Sequence, residues 1–129
     1  MQLNKLDHVN IRTANLDNMV AWYRDVLGME SGDRPPFPFP GAWLYAGDHA
    51  AVHLVGVEEA PQSVEPNIEH FAMSATGLKD FVERLNASGT EFRAVRVPGI
   101  NILQINVYDC DGNHIHIDFA PEEADAAGF

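Results

Sequence analysis

The strongest constraint on this chain is an internal echo. A shift of 62 residues lays Leu6-Asp7-His8-Val9-Asn10-Ile11 over Ile68-Glu69-His70-Phe71-Ala72-Met73. In the first segment Val9 and Ile11 fall on one face while His8, Asn10 and Arg12 fall on the other, the two-residue period of a strand. The apolar face of such a strand needs a cover, and one follows in register. Leu16, Met19, Val20 and Tyr23 have the i, i+3, i+4, i+7 spacing of an amphipathic helix, and Leu78, Phe81, Val82 and Leu85 repeat it at the same shift. Asn15 and Thr76 stand at plausible N-cap places, and Gly28 and Gly89 at stops. An amphipathic stripe alone is common, but its fixed register behind a histidine-bearing strand points to two copies of one plan.

Shorter extended pieces follow each helix. In the first half they run over 29–33, 42–46 and 51–57, with Gly47-Asp48 as a turn. In the second half they run over 91–97, 102–108 and 114–119, with Asp111-Gly112 as a turn. Each half therefore reads β-α-β-β-β, and the expected class is α+β. The expected organisation is a first module over 1–57, a proline-containing linker over 58–66, a second module over 67–120, and an acidic, alanine-rich tail over 121–129 that frays. The segment Arg34-Pro35-Pro36-Phe37-Pro38-Phe39-Pro40-Gly41 is too rich in proline to be a central strand, so a stiff loop is expected, with Phe37 and Phe39 either roofing an apolar pocket or packing on their own module.

Charge and composition remove several classes of partner. The chain is 46% hydrophobic, enough to bury a core, and has 8 Lys plus Arg against 19 Asp plus Glu. A formal charge of −11 disfavours nonspecific attraction to nucleic acid or to an anionic membrane surface. No apolar stretch is long enough to span a bilayer or to serve as a signal peptide, and Cys110 has no internal disulfide partner. A cytoplasmic protein acting on a small molecule is expected.

Function enters through the histidines. His8 and His53 are 45 residues apart, and His70 and His116 repeat the frame at 46. Lone strand histidines are usually structural, but a matched quartet is a candidate donor set for one metal ion, since neutral imidazole suits zinc, nickel, iron or cobalt. His114 shares the strand parity of His116 and is expected to touch substrate or support a ligand. His49 falls by a turn and is expected to be solvated. Asn10, Arg12, Gln104 and Asn106 have parities that suit substrate binding or internal hydrogen bonding. Asp118, also in parity with His116, is the one candidate for a catalytic base, against the simpler reading of a solvated strand-end carboxylate.

Leu6 to Ile11, Trp22-Tyr23-Arg24-Asp25-Val26-Leu27-Gly28, and Asp109-Cys110-Asp111-Gly112-Asn113 before the last strand together resemble the vicinal oxygen chelate superfamily. That group includes glyoxalase I, extradiol ring-cleavage dioxygenases, methylmalonyl-CoA epimerase, fosfomycin-modifying enzymes and bleomycin resistance proteins. Gly41-Ala42-Trp43-Leu44 followed by Val52-His53-Leu54 is similar to a glyoxalase-related branch. The resemblance spans Leu6 to about Phe119 and implies a U-shaped mixed sheet whose cleft takes ligands from the first and last strand of each module, here His8, His53, His70 and His116. It implies a homodimer and a divalent metal that chelates two substrate oxygens, most simply in a glyoxalase-like lyase or isomerase acting on a small carbonyl or thiol adduct. Many relatives carry Glu in the place of His116, and glyoxalase I has an acidic ligand in the place of His53. Four neutral imidazoles leave the metal charge uncompensated and remove the usual proton acceptor. Extradiol dioxygenation is the alternative within catalysis, weakened by the missing carboxylate ligand, and non-catalytic drug sequestration is the alternative outside it.

Overall fold

A computed structural model describes residues 1–129. The chain forms two compact units, Met1–Gln62 and Ser63–Phe129, each built on a four-stranded mixed sheet. The first contains β1 (Val9–Thr13), α1 (Leu16–Asp25), β2 (Glu30–Gly32), β3 (Gly41–Ala46) and β4 (His49–Gly56), with sheet order β1-β4-β3-β2. The second contains β5 (Phe71–Ser74), α2 (Leu78–Ser88), β6 (Arg93–Arg96), β7 (Leu103–Tyr108) and β8 (His114–Phe119), with order β5-β8-β7-β6, followed by α3 (Pro121–Ala127). The class is α+β, and the β-α-β-β-β plan holds in both units. Residues 58–66 carry no helix or strand.

In each sheet the first strand runs parallel to the last, which pairs antiparallel with the strand before it. This pairing places the last strand at the centre of the four. Its side-chain alternation then sorts the whole unit. Ile115, Ile117 and Phe119 of β8 lie on the core face with Leu103, Ile105 and Val107 of β7, under Leu78 and Leu85 of α2. In the first unit Val52 and Leu54 of β4 join Ala42 and Leu44 of β3 under Met19 and Tyr23 of α1. The opposite faces are left to His53 and Trp43 in one sheet, and to His114, His116 and Asp118 in the other.

Glycines close both helices. Gly28 takes φ 70°, with the Met29 N–H returning to the Tyr23 carbonyl, and Gly89 takes φ 66°, with the Thr90 N–H returning to the Leu85 carbonyl. Neither helix start receives a bond from its own cap side chain. The register between β7 and β8 is set by their turn. Asp109 is buried there, and its Oδ1 accepts from the backbone N–H groups of Asp111 and Asn113 and from the Asn113 side chain.

The C-terminal residues depart from the frayed tail expected above. Pro121 opens α3 at its first turn, where its missing N–H costs nothing, and Ala124 is fully buried. Glu123 accounts for the docking: its Oε1 accepts from the N–H groups of Gly77 at 2.6 Å and Leu78 at 2.7 Å, capping α2 from 45 residues away. Arg96 adds a bond to Asp125 at 2.5 Å and one to the Phe129 carbonyl. Glu123→Ala should therefore lower stability by about 1 kcal/mol, the usual worth of a helix cap, in urea unfolding. A tail without a docking role would leave the midpoint unchanged.

Candidate functional site

β4 and β8 each present a histidine near the middle of the face opposite the core. His53 is paired in register with Asn10 of β1 and Trp43 of β3, and His116 with Ala72 of β5 and Asn106 of β7. In both units the histidine just before the first strand stacks on this central ring. His8 lies on His53 with centroids 4.0 Å apart and planes 13° apart, and His70 lies on His116 at 3.9 Å and 13°. The repeat seen in the sequence thus becomes the same imidazole pair built twice. His8 and His70 stand one residue outside β1 and β5, a small shift from the strands expected to hold them.

An acidic neighbour holds each outer ring. Asp7 Oδ2 accepts from His8 Nδ1 at 2.8 Å, and Glu69 Oε2 makes the matching contact with His70 Nδ1. The hydrogen bond from His8 holds the Asp7 carboxyl below its ordinary range, and those from His70 and then His114 do the same for Glu69. A carboxylate on Nδ1 fixes the tautomer that leaves the Nε2 lone pair free, the arrangement found behind metal-bound histidines.

The second unit carries a further ring. His114, His70 and His116 each offer a nitrogen, and these atoms lie within 4.8 Å of one another. His114 is nevertheless already engaged on both sides. Its Nδ1 meets Glu69 Oε1 at 2.7 Å, its Nε2 meets Asn106 Oδ1 at 3.0 Å, and its ring lies flat on Tyr108. The contrast with His116 is sharp. His116 is only 8% exposed, and neither ring nitrogen has a hydrogen-bond partner. Burial, followed by the neighbouring His70 and His114, pushes its pKa below the ordinary histidine value, so the ring is held neutral with a lone pair to give. Burial and then His8 do the same to His53, whose Nε2 approaches the Ala50 carbonyl at 3.1 Å.

The remaining candidates divide. Asp118 has a buried Oδ1 with no partner, two residues along β8 from His116 and opposite Gln104. Asn106 is buried with its amide committed, Nδ2 donating toward the Arg93 and Gln104 carbonyls while Oδ1 faces His114, so its visible work is to position that ring. Asn10 lines a cavity of about 510 Å³ in the first unit, together with His8, His53 and Trp43, whereas Arg12 is exposed and does not reach it. Phe37 and Phe39 also line this cavity, so the proline-rich loop supplies a wall. His49 begins β4 instead of lying loose in the turn. Its Nε2 meets the Asp7 carbonyl at 2.5 Å, and it too lines the cavity. Asp7, Glu69, Trp43 and Tyr108 were not singled out by sequence. The signal for the first two was the acidic residue before each histidine in the repeat.

Residues 5–117 match the Glyoxalase/Bleomycin resistance protein/Dioxygenase superfamily. The chain belongs to that superfamily. It is 28% identical over 125 residues to Glyoxylase I 4 of Arabidopsis thaliana, across 91% of this chain and 71% of that one. Among solved structures, the glyoxylase/bleomycin resistance protein/dioxygenase domain from Frankia sp. EAN1pec superposes with a TM-score of 0.76 at 18% identity, covering 92% of this chain and 99% of that one. Lactoylglutathione lyase from Agrobacterium tumefaciens superposes with a TM-score of 0.70 at 18% identity, covering all of both chains. These likenesses bear on the fold. No helix is long and apolar enough to cross a membrane.

The depressed pKa values of His53 and His116 carry a sign. Below the unperturbed value of 6.5 the unfolded chain takes up protons that the folded rings refuse, so these groups favour folding above that pH, and the benefit is lost as pH falls through the folded values. The urea midpoint should drop between pH 7 and pH 5, and a His53→Gln/His116→Gln double variant should flatten that slope. An equal slope in both proteins would refute the assignment.

Proposed function

We propose that this member of the superfamily is a metal-dependent, glyoxalase-like lyase or isomerase acting on a small carbonyl or thiol adduct with two adjacent oxygens. The observation that carries this reading is His116, a buried neutral imidazole with both nitrogens unpartnered. A buried polar group with no partner costs free energy, and a cation accepting its lone pair would remove that cost. The donors we propose are the stacked pairs, His70 and His116 in the second unit and His8 and His53 in the first. His114 stands beside the former pair, held off by Glu69 and Asn106 as a substrate-contacting or supporting group. All-imidazole donors suit zinc, nickel, iron or cobalt, and this reading takes a divalent ion of that group as the cofactor.

A bound divalent ion would supply Lewis acidity toward the paired oxygens of the substrate. The protein's own part is clearer. Asp7 and Glu69 orient the outer rings through Nδ1, and the stacking of those rings on His53 and His116 restricts their rotation. The carboxylate that many relatives place among the ligands is absent, so a proton acceptor must come from elsewhere. Asp118 Oδ1, buried and unpartnered next to His116, is the proposed acceptor for a substrate proton. Asn10 and Gln104 are the proposed polar contacts for substrate. The homodimer implied by the family resemblance and a cytoplasmic location belong to this reading.

Zinc calorimetry should show tight binding to the native protein and loss of it in His116→Ala, with His70→Ala similarly impaired. Glu69→Gln should weaken zinc by about 10- to 100-fold, the usual effect of removing a carboxylate behind a ligand histidine. Asp118→Asn should leave zinc affinity within about twofold but cut kcat by about 100-fold or more in a lactoylglutathione-forming assay of the metal-loaded enzyme. Native zinc affinity in His116→Ala would overturn the metal assignment. Full turnover in Asp118→Asn would overturn the base.

A further inference from the structure

The proline-rich loop of the first unit builds something that metal binding does not require. Four prolines in Arg34–Pro40 stiffen the loop, and it folds so that Phe37 and Phe39 lie parallel, with centroids 5.2 Å and planes 14° apart. Phe37 continues to Trp43 at 6.5 Å, and Trp43 is stacked on His53 at 4.1 Å and 10°. Ring contacts thus run from the loop to the imidazole pair, and every ring in the series lines the cavity.

Arg34 is set among these rings. Its guanidinium carbon lies 5.0 Å from the Phe37 centroid and 5.1 Å from that of Phe39, and Nη2 donates to the Phe39 carbonyl at 3.0 Å. It is the one Lys or Arg lining the cavity, it is partly buried, and no carboxylate pairs with it. The carboxylate lining the same cavity, Asp7, is bonded to His8. A chain with 19 acidic residues and 8 basic ones has surplus carboxylates to neutralise a structural arginine, and none is used here. The cation keeps four further N–H bonds in a fixed fork, the geometry that suits a planar oxyanion.

We infer that the first-unit cavity binds a planar aromatic ring carrying a carboxylate or similar oxyanion, the ring against Phe37 and Trp43 and the anion on Arg34. This deepens the proposed function by naming a substrate class, and it rests on that reading only for the claim that the bound molecule is turned over. The binding itself needs no metal. A volume near 510 Å³ accommodates a one- or two-ring molecule. The aromatic walls select flatness, because offset stacking adds to simple area burial, and Arg34 selects charge.

The test is calorimetry of the full chain in EDTA with three probes of similar size: 2-naphthoate, its uncharged amide 2-naphthamide, and the non-planar decalin-2-carboxylate. The expected result is saturable binding of 2-naphthoate, about tenfold tighter than either comparison probe, as one charge-assisted hydrogen-bond pair or one stacked face implies. Arg34→Gln should abolish the preference for naphthoate over naphthamide while naphthamide binding persists. Trp43→Leu should abolish the preference for naphthoate over decalin carboxylate. Phe37→Leu, on an exposed loop, serves the same purpose should Trp43→Leu unfold. Equal affinity for all three probes, no binding of naphthoate, or an unchanged charge preference in Arg34→Gln would overturn the inference. Zinc titration of the same variants after dialysis to remove EDTA fails or succeeds separately, so a lost metal site and a lost aromatic-anion site are distinguished.

Discussion

The alternation of side chains along β4 and β8 is the constraint on which everything else depends. Each is the inner strand joining a parallel partner to an antiparallel one, so one of its faces must be aliphatic to meet the helix. The opposite face is then shielded by neighbouring strands while remaining free for chemistry. In β8 that face reads His114, His116, Asp118, and its cross-strand partners on β7 are Tyr108, Asn106 and Gln104. A one-residue slip would exchange these groups with Ile115, Ile117 and Phe119, losing core and site together. The Asp109 turn, which locks the β7–β8 register, is therefore as much a part of the site as the imidazoles.

The two units solve one problem with different supporting groups. Both stack an outer imidazole on a central one and hold it by the preceding acidic residue. Beyond that they diverge. In the second unit Glu69 also reaches His114, tying two rings and Asn106 into a network beside the unpartnered His116. In the first unit the corresponding space is walled by Trp43 and the proline-rich loop, and His49 packs against the Asp7 backbone. The repeat thus sets two like imidazole pairs in unlike surroundings, a hydrogen-bonded network in the second unit and an aromatic-walled cavity in the first.

Much of this was legible in the chain because the decisive signals are local. Strand parity places His114, His116 and Asp118 on one face, and the 62-residue register pairs His8 with His70. What was hidden depends on contacts between residues distant in sequence. α3 reads as a loose acidic tail because its stability comes from Glu123 capping a helix 45 residues earlier and from Arg96 meeting Asp125. His49 reads as a turn residue because the Gly47-Asp48 turn is so short that β4 begins at once. The committed amide of Asn106 and the fully engaged ring of His114 are likewise invisible to periodicity, which reports the face of a side chain and not what it bonds.

The central claim is that the His116 ring nitrogens are kept free of protein partners for a cation. Nitrogen-15 NMR of the histidine rings during zinc addition tests it most directly. The account predicts a large shift of one His116 ring nitrogen, saturating with the metal, accompanied by a shift at His70 Nε2 while its Nδ1 keeps the proton shared with Glu69. Zinc that saturates elsewhere on the protein while leaving both His116 nitrogens unmoved would contradict it.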